Sequence, residues 1–377
     1  MIKSQRNLFN IPDDIAYLNT AYMSPLLNSV ITAIEEGARL KSQPWRLGIP
    51  DFYDQVDQAR LLFSKIINVN PQNLAIVPST SYGIQTAANN LKLGKKKKII
   101  LIENQFPSHV YPWKRIANKS DCFIKFIETV ENETITDSIL KEMDENCALV
   151  AVPNVTWTSG KLIDLIALRK RCDDINCFMV LDLTQSVGAM QIDFKQVRPD
   201  FAVVSNYKWM LGPYTTGFLY ASPENCFGEP IEEGWITRKD SKNFSNLVNY
   251  TDHYESGAIR YDMGERSNFA LMPGVIKALE QILEWGVKNI EETLKVQNIS
   301  LSDRLETIGL AVTPDGERGS HFIGAKLPKN HPKNLLKLLE KENIFLSERG
   351  GFLRITPHLW NNENDFDRLI DGLSSIL

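Results

Sequence analysis

FAVVSNYKWMLGPYTTG, residues 201–217, opens on an apolar run, Phe201 to Val204, and turns polar at Ser205-Asn206-Tyr207-Lys208. A short apolar run bounded by polar residues has the pattern of a buried strand. Gly212-Pro213 marks a turn just beyond it. Lys208 therefore stands at the mouth of a buried strand, between Tyr207 and Trp209. An amine there can act as a nucleophile only if desolvation or nearby positive charge drops its pKa well below the reference of about 10.4. Taken alone, most lysines are solvated surface residues. The ends of the other strands decide between the two readings.

Upstream, strands alternate with helices. A short strand lies within IAYLNTAYMSPL (15–26), and apolar residues at three- and four-residue spacing predict helices over 28–43 and 51–67. The pattern then predicts strand Leu74–Val77, helix 81–92, strand Lys98–Ile102, a helix around 108–118, strand Phe123–Ile127 and helix 135–143. It continues with strand Ala148–Val152, helix 163–174, strand Cys177–Leu181 and strand Phe201–Val204. Such alternation predicts an α/β fold, with a mostly parallel sheet and helices on both faces. Ligands in these sheets bind beyond the carboxyl ends of the strands. Residues 271–296 read as one long helix with Pro273 near its start. Strands Ser320–Leu327 and Ile344–Leu346 and helices Leu335–Glu342 and Phe366–Ile376 then predict a smaller α+β C-terminal domain. The expected division is a large domain over 15–285 and a small domain over 286–377 joined by residues 1–14.

Composition narrows the function. A formal net charge of −4 over 377 residues gives no support for nucleic acid or an anionic membrane as partner. The N-terminal MIKSQRNLFNIPDD has no apolar signal core, and no apolar run approaches the roughly 20 residues needed to span a bilayer. Five cysteines, odd in number and without a CxxC pair, read as reduced thiols of a cytoplasmic protein. Five scattered histidines show no metal-ligand spacing, so no metal is expected.

The strand ends carry the chemistry. Asp182 closes the run CFMVL, and Thr184 and Gln185 follow it. Thr80 and Ser81 open a helix directly after LAIVP, where hydroxyls and free N–H groups make either a simple cap or an anion cradle. Asn154 and Trp157 follow ALVAVP, and Phe106 follows IILIENQ. Each signal is weak alone. Together, an anion cradle, an aromatic ring, an asparagine, an aspartate and a lysine beyond successive strand ends fit pyridoxal 5′-phosphate. That cofactor needs a Schiff-base lysine, an aspartate on its pyridinium nitrogen and a phosphate site. Twenty-six residues separate Asp182 from Lys208, enough for one crossover between neighbouring strands.

LDLTQSVGA (181–189), VVSNYKWMLGPYTTGFLY (203–220), FPSHVYPW (106–113) and RITPHLWN (354–361) carry a resemblance. The sequence resembles the class V aminotransferases of pyridoxal-phosphate fold type I, which include cysteine desulfurases, isopenicillin N epimerase-like proteins and kynureninases. The likeness runs from YLNTAYMSPL (17–26) to RITPHLWNNENDFDRLIDGL (354–373). It implies that Lys208 carries the cofactor, that Asp182 pairs with the ring nitrogen and that Gln185 meets the phenolic oxygen. It further implies phosphate-side roles for Thr80, Ser81, Ser205 and Tyr207, ring stacking by Phe106 and a cofactor-side amide at Asn154. Arg354 matches the arginine that binds the substrate carboxylate, a bidentate task suited to guanidinium. Asn19 and Tyr22 are the further substrate-side candidates. Desulfurases carry histidine where this chain has Phe106 and Tyr207. Members are typically homodimers in which the partner closes the site near MGERSNF (263–269), although Glu265 replaces the threonine usual after that glycine.

The implied activity is transamination or epimerisation at the α-carbon of an amino acid. The alternatives are β- or γ-elimination and, from another class, a pyridoxal-phosphate-binding protein without turnover. An aldolase-type Schiff-base lysine without the cofactor leaves Asp182 and the phosphate cradle unexplained. A desulfurase needs an acceptor thiol on a loop preceding the carboxylate-binding arginine. ENIFLSERGGFLRIT (342–356) holds no cysteine. Given L-cysteine and a reductant, the protein is expected to release sulfide no faster than its Lys208→Ala variant. Lys208-dependent sulfide release through a persulfide on any of the five cysteines overturns that expectation.

Overall fold

The computed structural model describes residues 1–129 and 133–377. Strand β1 (Ala16–Tyr17) precedes helices α1 (Asn28–Lys41) and α2 (Asp54–Ile67). The alternating region then runs β2 (Leu74–Val77), α3 (Thr80–Asn90), β3 (Lys98–Ile102), α4 (Tyr111–Ser120), β4 (Phe123–Ile127), α5 (Ile135–Glu142) and β5 (Cys147–Pro153). It continues α6 (Leu165–Ile175), β6 (Phe178–Asp182), α7 (Phe194–Val197), β7 (Phe201–Ser205) and β8 (Gly217–Ala221). Strands β2, β3 and β4 fall on the residues read from the sequence. Strand β8 is an addition: GFLYA is a short run directly after the Gly-Pro turn, and it returns beside β7.

These strands form one seven-stranded sheet of order β2-β8-β7-β6-β5-β3-β4. Strand β8 is antiparallel to β2 and β7, and every other pairing is parallel. The central strands are apolar along their whole length because both faces are covered. Ile100, Val150, Leu181 and Val204 pack into one apolar cluster with α2 and α6. Their alternate neighbours Ile99, Leu149, Val180 and Val203 pack into the other with α3 and α4. The period of two is thus satisfied on both sides at once. Local caps fix the helix starts: Ser79 accepts from Tyr82 N at α3, and Asp164 accepts from Ile166 N and Ala167 N at α6.

The single helix expected over 271–296 is two, α8 (Met272–Trp285) and α9 (Val287–Thr307). Gly286 separates them at φ +74°, in the left-handed region that ends a helix cheaply only for glycine. Beyond α9 come β9 (Ala311–Val312), β10 (Ile323–Lys326), α10 (Leu335–Lys341), β11 (Ile344–Phe345), β12 (Ser347–Arg349), β13 (Phe352–Ile355) and α11 (Glu363–Ile376). Strands β12 and β13 form a hairpin within a four-stranded sheet of order β12-β13-β10-β9. Strand β1 pairs in parallel with β11, and Ala16 and Leu18 join the apolar cluster built on Leu301, Leu305, Ile323, Leu353 and Phe366. Among the described residues no helix is long and apolar enough to cross a membrane.

After β6 the chain turns through Gly188 at φ +98°, where an added Cβ would stand 2.4 Å from Trp209 O. The turn after the aspartate strand is therefore pressed against the lysine loop. Gly188→Ala combines a disfavoured backbone conformation with overpacking and is expected to cost about 2 kcal/mol or more. Urea unfolding monitored by far-UV circular dichroism measures this, and an unchanged midpoint would show that the two loops can part without cost.

Candidate active site

Five strand ends converge on one cavity. It is lined by Thr80 after β2, Gln105, Phe106 and His109 after β3, and Pro153, Val155 and Trp157 at and after β5. Asp182, Thr184 and Gln185 at and after β6 and Tyr207 and Lys208 after β7 complete it. A larger groove along Thr134–Asp137, Asp164–Ala167 and Met190–Asp193 contains no aromatic ring and lies apart from Lys208.

Short bonds fix the two reactive loops. Asp182 Oδ1 accepts from Thr184 N at 3.0 Å, and Ser205 N donates to Thr184 Oγ1 at 3.1 Å. The Thr80 hydroxyl lies 2.8 Å from that of Ser205 and 3.3 Å from that of Thr184, so three hydroxyls meet at the start of α3. Gln185 is held at both ends of its amide: Oε1 accepts from Trp209 Nε1 at 2.9 Å, and Nε2 donates to Ala21 O at 3.0 Å. One Nε2 hydrogen remains for a further acceptor. Ser24 N donates to Tyr207 O at 3.0 Å, so residues 21–24 grip both loops.

Lys208 is buried, with its amine 5.6 Å from the centre of the Phe106 ring and 5.4 Å from that of Tyr207. Desolvation pushes its pKa down to about 8, Asp182 opposes the shift, and Arg354 and Arg349 add to it. Burial raises the Tyr207 phenol to about 12. Burial also drives His109 down to about 4, against the pull of Asp182, so its ring is neutral at physiological pH.

Arg354 lies on β13 and is 2 % exposed. Its Nε and Nη2 donate to Ser347 Oγ at 2.9 and 2.7 Å, and its Nη1 donates to Trp157 O at 3.2 Å. Ser347 in turn donates to Asn19 Oδ1 at 2.7 Å. Among the described residues every hydrogen-bond partner of this guanidinium is a neutral oxygen and no carboxylate pairs with it. Of the other deeply buried arginines, Arg60 and Arg266 share the carboxylate of Asp262, and Arg318 lies 3.8 Å from that of Asp315. A buried cation without an acid is costly and is the natural seat of a ligand anion.

Of the residues read from the sequence, Thr80, Phe106, Asp182, Gln185, Tyr207 and Lys208 share the cavity, and Ser205 braces it from behind. Asn19 joins through Ser347 to Arg354. Two stand apart. Ser81 is exposed on the outer side of α3, its hydroxyl on Ser79. The Asn154 side-chain amide is turned to Ile163 O at 3.0 Å and lines the larger groove instead. Tyr22 is 52 % exposed, yet near enough to Tyr207 to act on its phenol. Sequence reading missed His109 and noted Thr184 after Asp182 without giving it a role. His109 Nδ1 accepts from Trp113 Nε1 at 3.3 Å, which leaves the proton on Nε2, and that nitrogen has no partner among the described residues. Histidine at a turn gives no periodic signal, so nothing in FPSHVYPW marks it.

Solved structures share this architecture. A mutant of C-DES with glycine covalently linked to its pyridoxal-phosphate cofactor matches 99% of the chain and 100% of its own, at 17% identity and TM-score 0.88. An apo cysteine desulfurase from Thermococcus onnurineus NA1 matches 100% and 98%, at 19% identity and TM-score 0.84. In sequence, an uncharacterized aminotransferase of Bacillus subtilis, YcbU, is 22% identical over 98% of this chain and 96% of its own. The fold is therefore that of these pyridoxal-phosphate proteins. The family model described as "Aminotransferase class-V" matches residues 16–352, and the chain belongs to that family.

A lysine whose folded pKa lies near 8 and whose unfolded pKa lies near 10.5 opposes folding. The penalty is complete below pH 8 and disappears as pH rises toward 10.5. Lys208→Met is expected to raise the melting temperature of the cofactor-free protein at pH 7, with the gain shrinking between pH 8 and pH 10.5. Calorimetric scans across that range measure it, and a gain independent of pH would place the amine in water.

Proposed function

We propose that this chain is a pyridoxal-phosphate-dependent enzyme acting at the α-carbon of an amino acid, of the aminotransferase or epimerase type. The observation that carries the reading is Arg354, a buried guanidinium bonded to neutral oxygens alone and acting electrostatically on Lys208. The cavity residues fit the cofactor by their chemistry. They offer a desolvated amine, a carboxylate and an aromatic ring in the same cavity, hydroxyls at a helix start and a spare amide N–H.

When bound, pyridoxal phosphate supplies a ring that accepts electron density from the substrate α-carbon. Asp182 holds the proton on the ring nitrogen. Thr80 and the free N–H groups of α3 would hold the phosphate, and Phe106 would pack against the ring. Gln185, immobilised by Trp209 and Ala21, offers its remaining N–H to the phenolic oxygen. Arg354 orients the substrate carboxylate. Lys208, neutral in an appreciable fraction near pH 8, removes and returns the α-proton as general base. Tyr207, kept protonated by burial, serves as a hydrogen-bond donor on the lysine's side of the cavity.

Elimination would use the same proton transfer, so the products separate the readings. Among the described residues no cysteine lines the cavity, and four of the five are buried elsewhere, which speaks against a persulfide-forming lyase. The reading includes a homodimer, supported by large apolar side chains left exposed at Trp45, Phe227, Val248 and Tyr250.

Borohydride reduction of the cofactor-loaded protein and peptide mapping should place the pyridoxyl label on Lys208, and a label on another lysine overturns the assignment. In the same preparation Arg354→Ala should raise KM for the reactive amino acid by about one to two decades with little change in cofactor content. Unchanged kinetics would move the carboxylate site elsewhere.

A further inference from the structure

The hairpin that carries Arg354 carries a second arginine on the same face. Ser347 stands opposite Arg354, and Arg349 stands opposite Phe352. Directly opposed residues share a face, and so do residues two apart along a strand. Ser347, Arg349 and Arg354 therefore project to one side. The bonds of Ser347 and Arg354 to Asn19 and Trp157 identify it as the side turned toward the cavity. As diagonal neighbours, the two arginines are about 7–8 Å apart along the backbone. The hairpin tip lies against the cavity wall, since a Cβ on Gly350 would stand 3.6 Å from Thr158, next to Trp157.

Arg349 also has no acid. Its Nη1 donates to Glu348 O at 2.6 Å, and no carboxylate pairs with it among the described residues. The two guanidiniums repel each other, and each lowers the pKa of Lys208. One substrate carboxylate satisfies Arg354 and leaves Arg349 free. The phosphate would be held by the hydroxyls and N–H groups at the start of α3, at Thr80, not by the hairpin.

We propose that the substrate is an amino acid with a second acid group on its side chain, of the aspartate or glutamate kind. Its α-carboxylate meets Arg354 and its side-chain carboxylate meets Arg349. The proposal rests on the reading of the site given above and adds the substrate class. It makes Arg349 a specificity-determining residue.

Unreactive acids test it without turnover. Succinate, glutarate and the monoacid butyrate are titrated calorimetrically into the cofactor-loaded wild type, Arg349→Gln and Arg354→Gln. Arg349 is half-buried at a hairpin tip, so its replacement should leave the fold intact, and circular dichroism checks this. The diacids are expected to bind about tenfold to a hundredfold tighter than butyrate. Arg349→Gln should abolish that margin and leave butyrate unchanged, whereas Arg354→Gln should weaken all three. Equal affinities in the wild type, no detectable diacid binding, or a margin that survives Arg349→Gln overturns the proposal. Failure of the underlying reading shows differently: no L-amino acid then changes the absorbance of the bound cofactor, whatever the diacids do.

Discussion

Everything at the carboxyl edge of the sheet depends on keeping one amine out of water. Lys208 sits over Phe106 and Tyr207 with a single carboxylate, Asp182, in its cavity. In a low-dielectric pocket the ammonium loses solvation that one acid does not fully restore. The protein holds this unfavourable arrangement by bonding the lysine loop to everything around it: Ser24 to Tyr207, Gln185 to Trp209, Thr184 to Ser205. The packing of Gly188 against the Trp209 backbone belongs to the same constraint.

The charge balance of the site follows. Lys208 shares its cavity with one carboxylate, and the charges of Arg354 and Arg349 act on it from the hairpin, so the site is positive before any ligand enters. Such a site attracts anions and attenuates the pKa of its amine by the same field. Binding a phosphate at the α3 end and carboxylates at the hairpin end would neutralise the excess from both sides. Catalytic competence and affinity for anionic ligands are thus two results of one distribution of charge.

The sheet was legible in the sequence because its strands are continuous apolar runs with polar ends, and such runs have few alternatives. Leu74–Val77, Lys98–Ile102 and Phe123–Ile127 were located to the residue for that reason. Strand β8 was not, since GFLYA reads as the tail of the motif before it. The break at Gly286 inside the helix read over 271–296 was not legible, because periodicity does not report φ. Asp182 and Lys208 were legible as strand-end residues. Arg354 was legible through resemblance alone, as an arginine in a β-hairpin carries no local mark of burial. Asn154 and Ser81 show the converse. Their positions at strand ends were read correctly, but side-chain direction depends on neighbours, Ile163 and Ser79, that spacing does not reveal.

Residues 16–24 connect parts of the site that lie far apart along the chain. Strand β1 pairs with Ile344–Phe345, Ala21 N donates to Thr356 Oγ1 across 335 residues, and Ala21 O holds Gln185. Contacts of such separation close late, because loop entropy must be overcome before they contribute. During synthesis this segment emerges before its partners near residue 350 and waits unpaired until they have left the ribosome. The parallel sheet can assemble before then, yet Gln185 and Asn19 cannot take up their final places. Cofactor capture in its finished geometry is therefore coupled to translation of the C-terminal hairpin, and a truncated chain would fold much of its sheet while lacking the means to position a substrate.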